Sequence, residues 1–136
     1  MKYIFLTTIV SLWLNFGFTQ NNSIPTSNTQ SLENIQVPQF SDPEIHNFFT
    51  LYQNNLINYL KAVRQNNKPA IKAAFDKDVS NFDKIFKTIE KTKSIPAEHK
   101  KALDYLTQTK PYITKMGQHP YVKELSKEYL KNYEKK

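Results

Sequence analysis

The chain has 136 residues, a formal net charge of +7 and no cysteine. Without cysteine it cannot form disulfides, a cysteine-based zinc site or a thiol nucleophile. Its two glycines and seven prolines leave little material for glycine-rich phosphate loops or hairpin turns. The length predicts one small domain, and the moderate positive charge favours weak contact with anionic surfaces without indicating nucleic-acid binding.

Residues 1–19 have the pattern of a signal peptide. Lys2 supplies a positive charge, residues 3–14 form an apolar run, and residues 15–19 become more polar before a cut at Gln20. The alternative is an uncleaved membrane anchor, but the apolar run is shorter than the roughly 20 residues that a spanning helix needs. We therefore expect export to the periplasm or the extracellular space, with no transmembrane span in the mature chain.

Residues 20–39 form a polar tract that is rich in Asn, Gln, Ser and Thr and contains two prolines. The tract has neither a helical nor a strand period, so we predict a disordered linker. It either acts as a spacer that holds the folded domain off a surface, or is simply an unstructured segment after the leader. The second situation is the commoner one near chain ends.

The strongest helix signal covers residues 40–63. Ser41 followed by Glu44 matches a capping box with Ser41 as the N-cap, and Pro43 fits the first turn. Phe40 can close onto Ile45 as a hydrophobic staple. Apolar residues then recur every three or four positions, which predicts one buried face. They are Ile45, Phe48, Phe49, Tyr52, Leu56, Tyr59, Leu60 and Val63.

A second helix is predicted after a short connector, with Asn67 as its cap and Pro69 in its first turn. Its apolar positions follow the same helical spacing. They are Ile71, Ala74, Phe75, Val79, Phe82, Ile85, Phe86 and Ile89. Asp76, Asp78 and Asp83 are interpreted as a solvated patch that pairs with lysines, because a calcium loop would need a glycine that this segment lacks.

Residues 94–98 are predicted to open the third helix, with Ser94 as a cap and Pro96 early in it, and this helix carries another apolar stripe. Pro111 lies inside this pattern, where a proline costs about 3 kcal/mol and removes one backbone hydrogen bond. The apolar spacing continues across it, so a kink is favoured over a split into two helices. Gly117 ends this helix and Pro120 begins the last one. Together the segments predict an all-α, antiparallel up-and-down bundle of three to four helices over residues 40–136.

The sequence contains no recognisable catalytic constellation. The histidines His46, His99 and His119 lack the i, i+4 spacing of a helical metal site. No serine lies in a nucleophile-elbow motif, and the acidic residues fall on predicted polar helix faces. We therefore expect neither an enzyme nor a cofactor. The alternative is a haem- or metal-carrying bundle with Met116 or a histidine as ligand, although a methionine on an apolar stripe usually fills a core.

The best candidate for an interaction surface is the last helix, in which lysines and tyrosines interleave. The residues predicted to form this face are Lys123, Lys127, Tyr129, Lys131 and Tyr133. Such a face can bind anionic lipid headgroups or an acidic partner, and the alternative is an amphipathic helix with a solvated lysine face. The resulting hypothesis is a small exported bundle that binds another envelope or extracellular protein without catalysis, in an oligomeric state that the sequence leaves open.

Overall fold

A computed structural model describes residues 31–135, and these fold into an all-α bundle without strands. The four helices are α1 (Pro43–Arg64), α2 (Lys68–Thr92), α3 (Pro96–Gly117) and α4 (Pro120–Glu134). Short connectors at 65–67, 93–95 and 118–119 turn each helix back antiparallel to the one before it. The predicted fold class is confirmed. None of these helices combines the length and the apolar character that crossing a membrane requires.

Asp42, rather than the predicted Ser41, caps α1. The Asp42 carboxylate accepts the backbone N–H of Glu44 at 2.8 Å. This shift by one residue follows from Pro43, because the residue before a proline is held extended, and an extended backbone is typical of an N-cap. The N–H of Ser41 instead donates to Oε1 of Glu98 at 2.5 Å, which ties the start of α1 to the first turn of α3.

The prediction of a disordered linker over residues 20–39 is wrong for its last nine residues. Residues 31–40, called the docked segment below, contain a short 3-10 turn and pack onto the bundle. Leu32 and Ile35 of this segment are only 1% and 4% exposed. The side-chain amide of Gln53 donates to the carbonyl oxygen of Ile35 at 2.7 Å. The predicted signal peptide and the first part of the linker lie outside the described residues.

The largest share of the core comes from α1. Its buried apolar residues are Ile45, Phe49, Tyr52, Leu56, Tyr59, Leu60 and Ala62. Phe40 of the docked segment stacks on Phe49 with ring centroids 5.2 Å apart, and Tyr105 of α3 meets Phe49 edge-on at 5.5 Å. This aromatic cluster joins the docked segment, α1 and α3 in one core. Most of the apolar stripe predicted for α1 is buried, while its members Phe48 and Val63 are half-buried.

The connection between α1 and α2 follows the sequence closely. Asn67 caps α2 as predicted, since its side-chain oxygen accepts the N–H of Ala70 at 3.2 Å, and Pro69 lies in the first turn. Asn66 has a φ of 50°, a left-handed conformation that asparagine tolerates better than most residues. A tight reversal of the chain is the result.

The third helix is continuous over Pro96–Gly117, so the alternative of a split at Pro111 is wrong. Pro111 is exposed to solvent. Tyr105 and Thr109 before the proline and Met116 after it are all buried. Packing on both sides of Pro111 therefore outweighs the loss of one backbone hydrogen bond.

Candidate functional site

Asp78 lies in the interior of the bundle, at the middle of α2, with an exposed fraction of 3%. The interpretation of the α2 aspartates as one solvated patch is therefore wrong for Asp78, although Asp76 and Asp83 are exposed. The reason is the helical repeat. Ala74 and Phe82 are buried residues of the stripe, and Asp78 lies four residues from each, on the same side of the helix.

A cavity of about 40 Å³ lies beside Asp78 and is partly open to solvent. All four helices contribute to its walls, which include Tyr59, Phe75, Phe82, Ile113, Met116 and Tyr129. The space exceeds the roughly 10–15 Å³ that one water needs, and is smaller than the roughly 150 Å³ cavity that holds benzene. It therefore accommodates a small group. A haem on Met116 would require the helices to separate.

Burial dominates the electrostatics of this cavity. It raises the pKa of Asp78 from its ordinary 3.8 to about 7, because a low-dielectric interior disfavours the charged carboxylate. Burial first, and the charge of Asp78 second, also raise the pKa of Tyr59. Among the described residues, Oδ1 of Asp78 has no hydrogen-bond partner. A buried polar atom without a partner usually marks a strained or functional position.

A second set of buried polar groups is fully paired and has a structural role. The hydroxyl of Tyr105 donates to Oε1 of Gln53 at 2.7 Å, and the amide of Gln53 donates to the carbonyl of Ile35. The amide of Asn55 donates to the carbonyl of Ala74 at 3.3 Å, across the α1–α2 interface. Paired groups of this kind fix how elements pack.

Each histidine has a partner within the fold. His46 donates from Nδ1 to a backbone carbonyl of the docked segment at 3.1 Å. Nδ1 of His99 lies 3.0 Å from the Thr92 hydroxyl, and Nδ1 of His119 accepts the N–H of Tyr121 at 3.1 Å as the cap of α4. Within residues 31–135, no group of three or more His, Asp or Glu side chains is arranged to hold a metal ion.

The lysine–tyrosine face predicted on α4 does not form one surface. Tyr129 lies on the side of Val122 and Leu125, both buried, and it lines the Asp78 cavity. The rings of Tyr129 and its neighbour Tyr133 are 6.0 Å apart, and both residues are half-buried. The tyrosines therefore face the bundle.

The lysines of that predicted face lie elsewhere on α4. Lys127 and Lys131 are fully exposed one turn apart, and Lys123 is half-buried. Lys127 and Lys131 therefore form an exposed lysine pair that is separate from the tyrosines. The lysines and tyrosines alternate along the sequence, but the 100° step between successive helical residues places the two residue types on different sides of α4.

Sequence reasoning missed Asp78, the residue with the most unusual surroundings in the described part of the chain. The i ± 4 spacing of Asp78 to Ala74 and Phe82 indicates a buried position, whereas its charge indicates an exposed one. Comparisons with protein-family models, with curated proteins and with solved structures give no match to this chain. The role of the protein has to be inferred from its own residues.

Proposed function

We propose that this protein is an exported helical bundle that binds a small ligand in the Asp78 cavity and performs no catalysis. The observation that supports the proposal is a buried aspartate that lines an open cavity and has a carboxylate oxygen unpaired within the described chain. Leaving such a group without a partner costs free energy, and proteins keep costly polar groups mainly where function requires them.

Binding fits the cavity better than catalysis does. Besides Asp78, the lining residues with a hydroxyl group are Tyr59, Ser126 and Tyr129. The Ser126 hydroxyl donates to the carbonyl of Val122 at 2.9 Å, so it has no base to activate it. One carboxyl group without a partnered nucleophile or second acid is enough to recognise a ligand but provides only part of an acid–base mechanism.

Ligand binding in the Asp78 cavity is tested by filling the cavity with a larger side chain. Ser126→Leu places an apolar side chain into the lining, whereas Ser80→Leu makes the same change at an exposed position of α2. We expect small probes, both charged and neutral, to shift the NMR signals of the lining residues in the wild type and in Ser80→Leu. The same probes should leave Ser126→Leu unchanged. Absence of binding by every probe to the wild type contradicts the proposal.

Export is supported by the charged start and apolar run of residues 1–19. Mass spectrometry of the protein recovered from its own host checks this part. We expect a chain that begins at or near Gln20 in an extracytoplasmic fraction. A chain that still starts at Met1 in that fraction would contradict cleavage without affecting the cavity.

A second candidate function is weak contact with an anionic surface or an acidic partner protein through Lys127 and Lys131. Both are exposed, and neither forms an ion pair within the described residues. Lys127→Glu with Lys131→Glu should abolish salt-sensitive binding to anionic vesicles. The matched control replaces Lys84 and Lys87, two exposed lysines of α2, by glutamate. If both double variants lose binding to anionic vesicles equally, the binding depends on net charge and not on Lys127 and Lys131 in particular.

A further inference from the structure

We propose that the ligand group held in the Asp78 cavity is an organic ammonium, with the Asp78 carboxylate as its counter-ion. This inference rests on the proposed ligand-binding function and names the chemistry of the ligand. Within the described part of the chain, Oδ1 of Asp78 is an acceptor without a donor, and no Lys, Arg or His lines the cavity. A positively charged donor from outside the chain supplies both missing features, the hydrogen bond and the opposite charge.

The aromatic walls favour the same ligand class. Tyr59, Phe75, Phe82 and Tyr129 all line the cavity. Aromatic ring faces carry negative potential and attract cations, most strongly where water is excluded, and aromatic cages recognise methylated ammonium groups in this way. Apolar side chains such as Ile113 complete the walls, and they suit the aliphatic carbons next to the nitrogen.

The lining suits a hard metal ion less well than it suits an ammonium group. Calcium takes six to eight oxygen ligands, and magnesium requires near-octahedral oxygen coordination. Here one carboxylate and the hydroxyls of Tyr59, Ser126 and Tyr129 are the side-chain oxygens of the described lining. An ammonium group needs only one or two acceptors when aromatic rings surround the rest of it.

Binding of this kind is coupled to the release of a proton. The charge of Asp78 acts on Tyr52 and Tyr59 from α1, and Tyr129 from α4 lines the same cavity. The pKa values of all three tyrosines are raised mainly by burial. They stay neutral near pH 7, and α3 adds no titratable group to the cavity wall. The pKa of Asp78 is about 7, so affinity for a permanent cation should fall about tenfold per pH unit below that value.

The experiment compares matched charged and neutral probes by calorimetry and NMR. The probes are methylammonium against methanol, and n-butylammonium against 1-butanol. We expect the wild type to bind at least one ammonium about tenfold or more tightly than its neutral match. The two ammonium probes distinguish a methyl from a longer alkyl group on the nitrogen. Methylammonium stays charged on both sides of pH 7, so its affinity reports the titration of Asp78 alone.

Two variants complete the test. Asp78→Asn keeps the shape of the side chain and removes its charge, so it should lose the preference for ammonium and the pH dependence. Asp76→Asn removes an exposed carboxylate of the same helix and should change neither the preference for ammonium nor the pH dependence of binding. If the neutral probes bind and the ammonium probes do not, the ammonium proposal is overturned while the ligand-binding function stands. If no probe binds, both the ammonium proposal and the proposed ligand-binding function are contradicted. A pH-independent affinity for methylammonium in the wild type also overturns the proposal, even if Asp78→Asn does not fold.

Discussion

Burial of a single charged side chain, Asp78, opposes the stability of this fold. Its carboxyl group is almost fully buried, and burial raises its pKa from 3.8 to about 7. Between these values the folded chain keeps a proton that the unfolded chain has already released. The free energy of unfolding should therefore fall by roughly 4 kcal/mol as the pH rises from about 4 to about 7, and stay level above that.

Urea unfolding at a series of pH values checks this prediction. The quantity to compare is the difference in free energy of unfolding between the wild type and Asp78→Asn, because most other titrating groups cancel in it. Asp76→Asn is the control, since its exposed carboxylate pairs with Lys72 at the surface. A difference between wild type and Asp78→Asn that does not change with pH would show that the Asp78 carboxyl is solvated in the native state.

The surroundings of single residues were only partly predictable from sequence. Asn67 was identified as a cap because the residue, its position and the following proline all agree. Asp78 departs from the prediction because an acidic residue is usually exposed, whereas the helical phase of its own segment places it inside. Ser41 is not the cap because Pro43 holds Asp42 in the extended backbone conformation of an N-cap.

Among the helices, α3 carries the clearest conflict between local preference and packing. Pro111 removes one backbone hydrogen bond from a helix that nevertheless continues through it. Pro111→Ala restores the missing donor at an exposed position and should raise the free energy of unfolding by about 1–3 kcal/mol, measured by chemical denaturation.

The control for this change is Pro120→Ala, at the first residue of α4. There the backbone N–H would lack a helical partner in any case, so the change should stay within about 0.5 kcal/mol. Equal effects of the two substitutions would mean that α3 gains nothing from a restored backbone bond. The sequence predicted continuity across Pro111 correctly because the apolar spacing keeps its phase there, and only the presence of a packed partner decides between a bent helix and two helices.

At the scale of the whole molecule, the bundle extends further towards the N-terminus than the sequence pattern suggests. The docked segment buries Leu32, Ile35 and Phe40. Leu32→Ala should lower the free energy of unfolding by about 2–5 kcal/mol, the usual range for truncating a buried leucine. A disordered linker would show no change in thermal or urea unfolding.

Leu51→Ala is the matched substitution at the surface, because Leu51 on α1 is 53% exposed. It should change the free energy of unfolding by no more than about 0.5 kcal/mol. The docked segment was missed because it has too few apolar residues for a helical or strand period, and a polar composition typically indicates disorder. The four helices were predicted because each one repeats its pattern over several turns.

Gln53 holds the docked segment through the main-chain oxygen of Ile35, an atom that every residue type provides. Evolutionary drift at position 35 is therefore limited mainly by the volume available to its side chain. Drift at position 53 is limited by chemistry, because losing the amide also strands the Tyr105 hydroxyl in the interior. Orthologues should consequently exchange Ile, Val and Leu at position 35 while retaining glutamine at position 53.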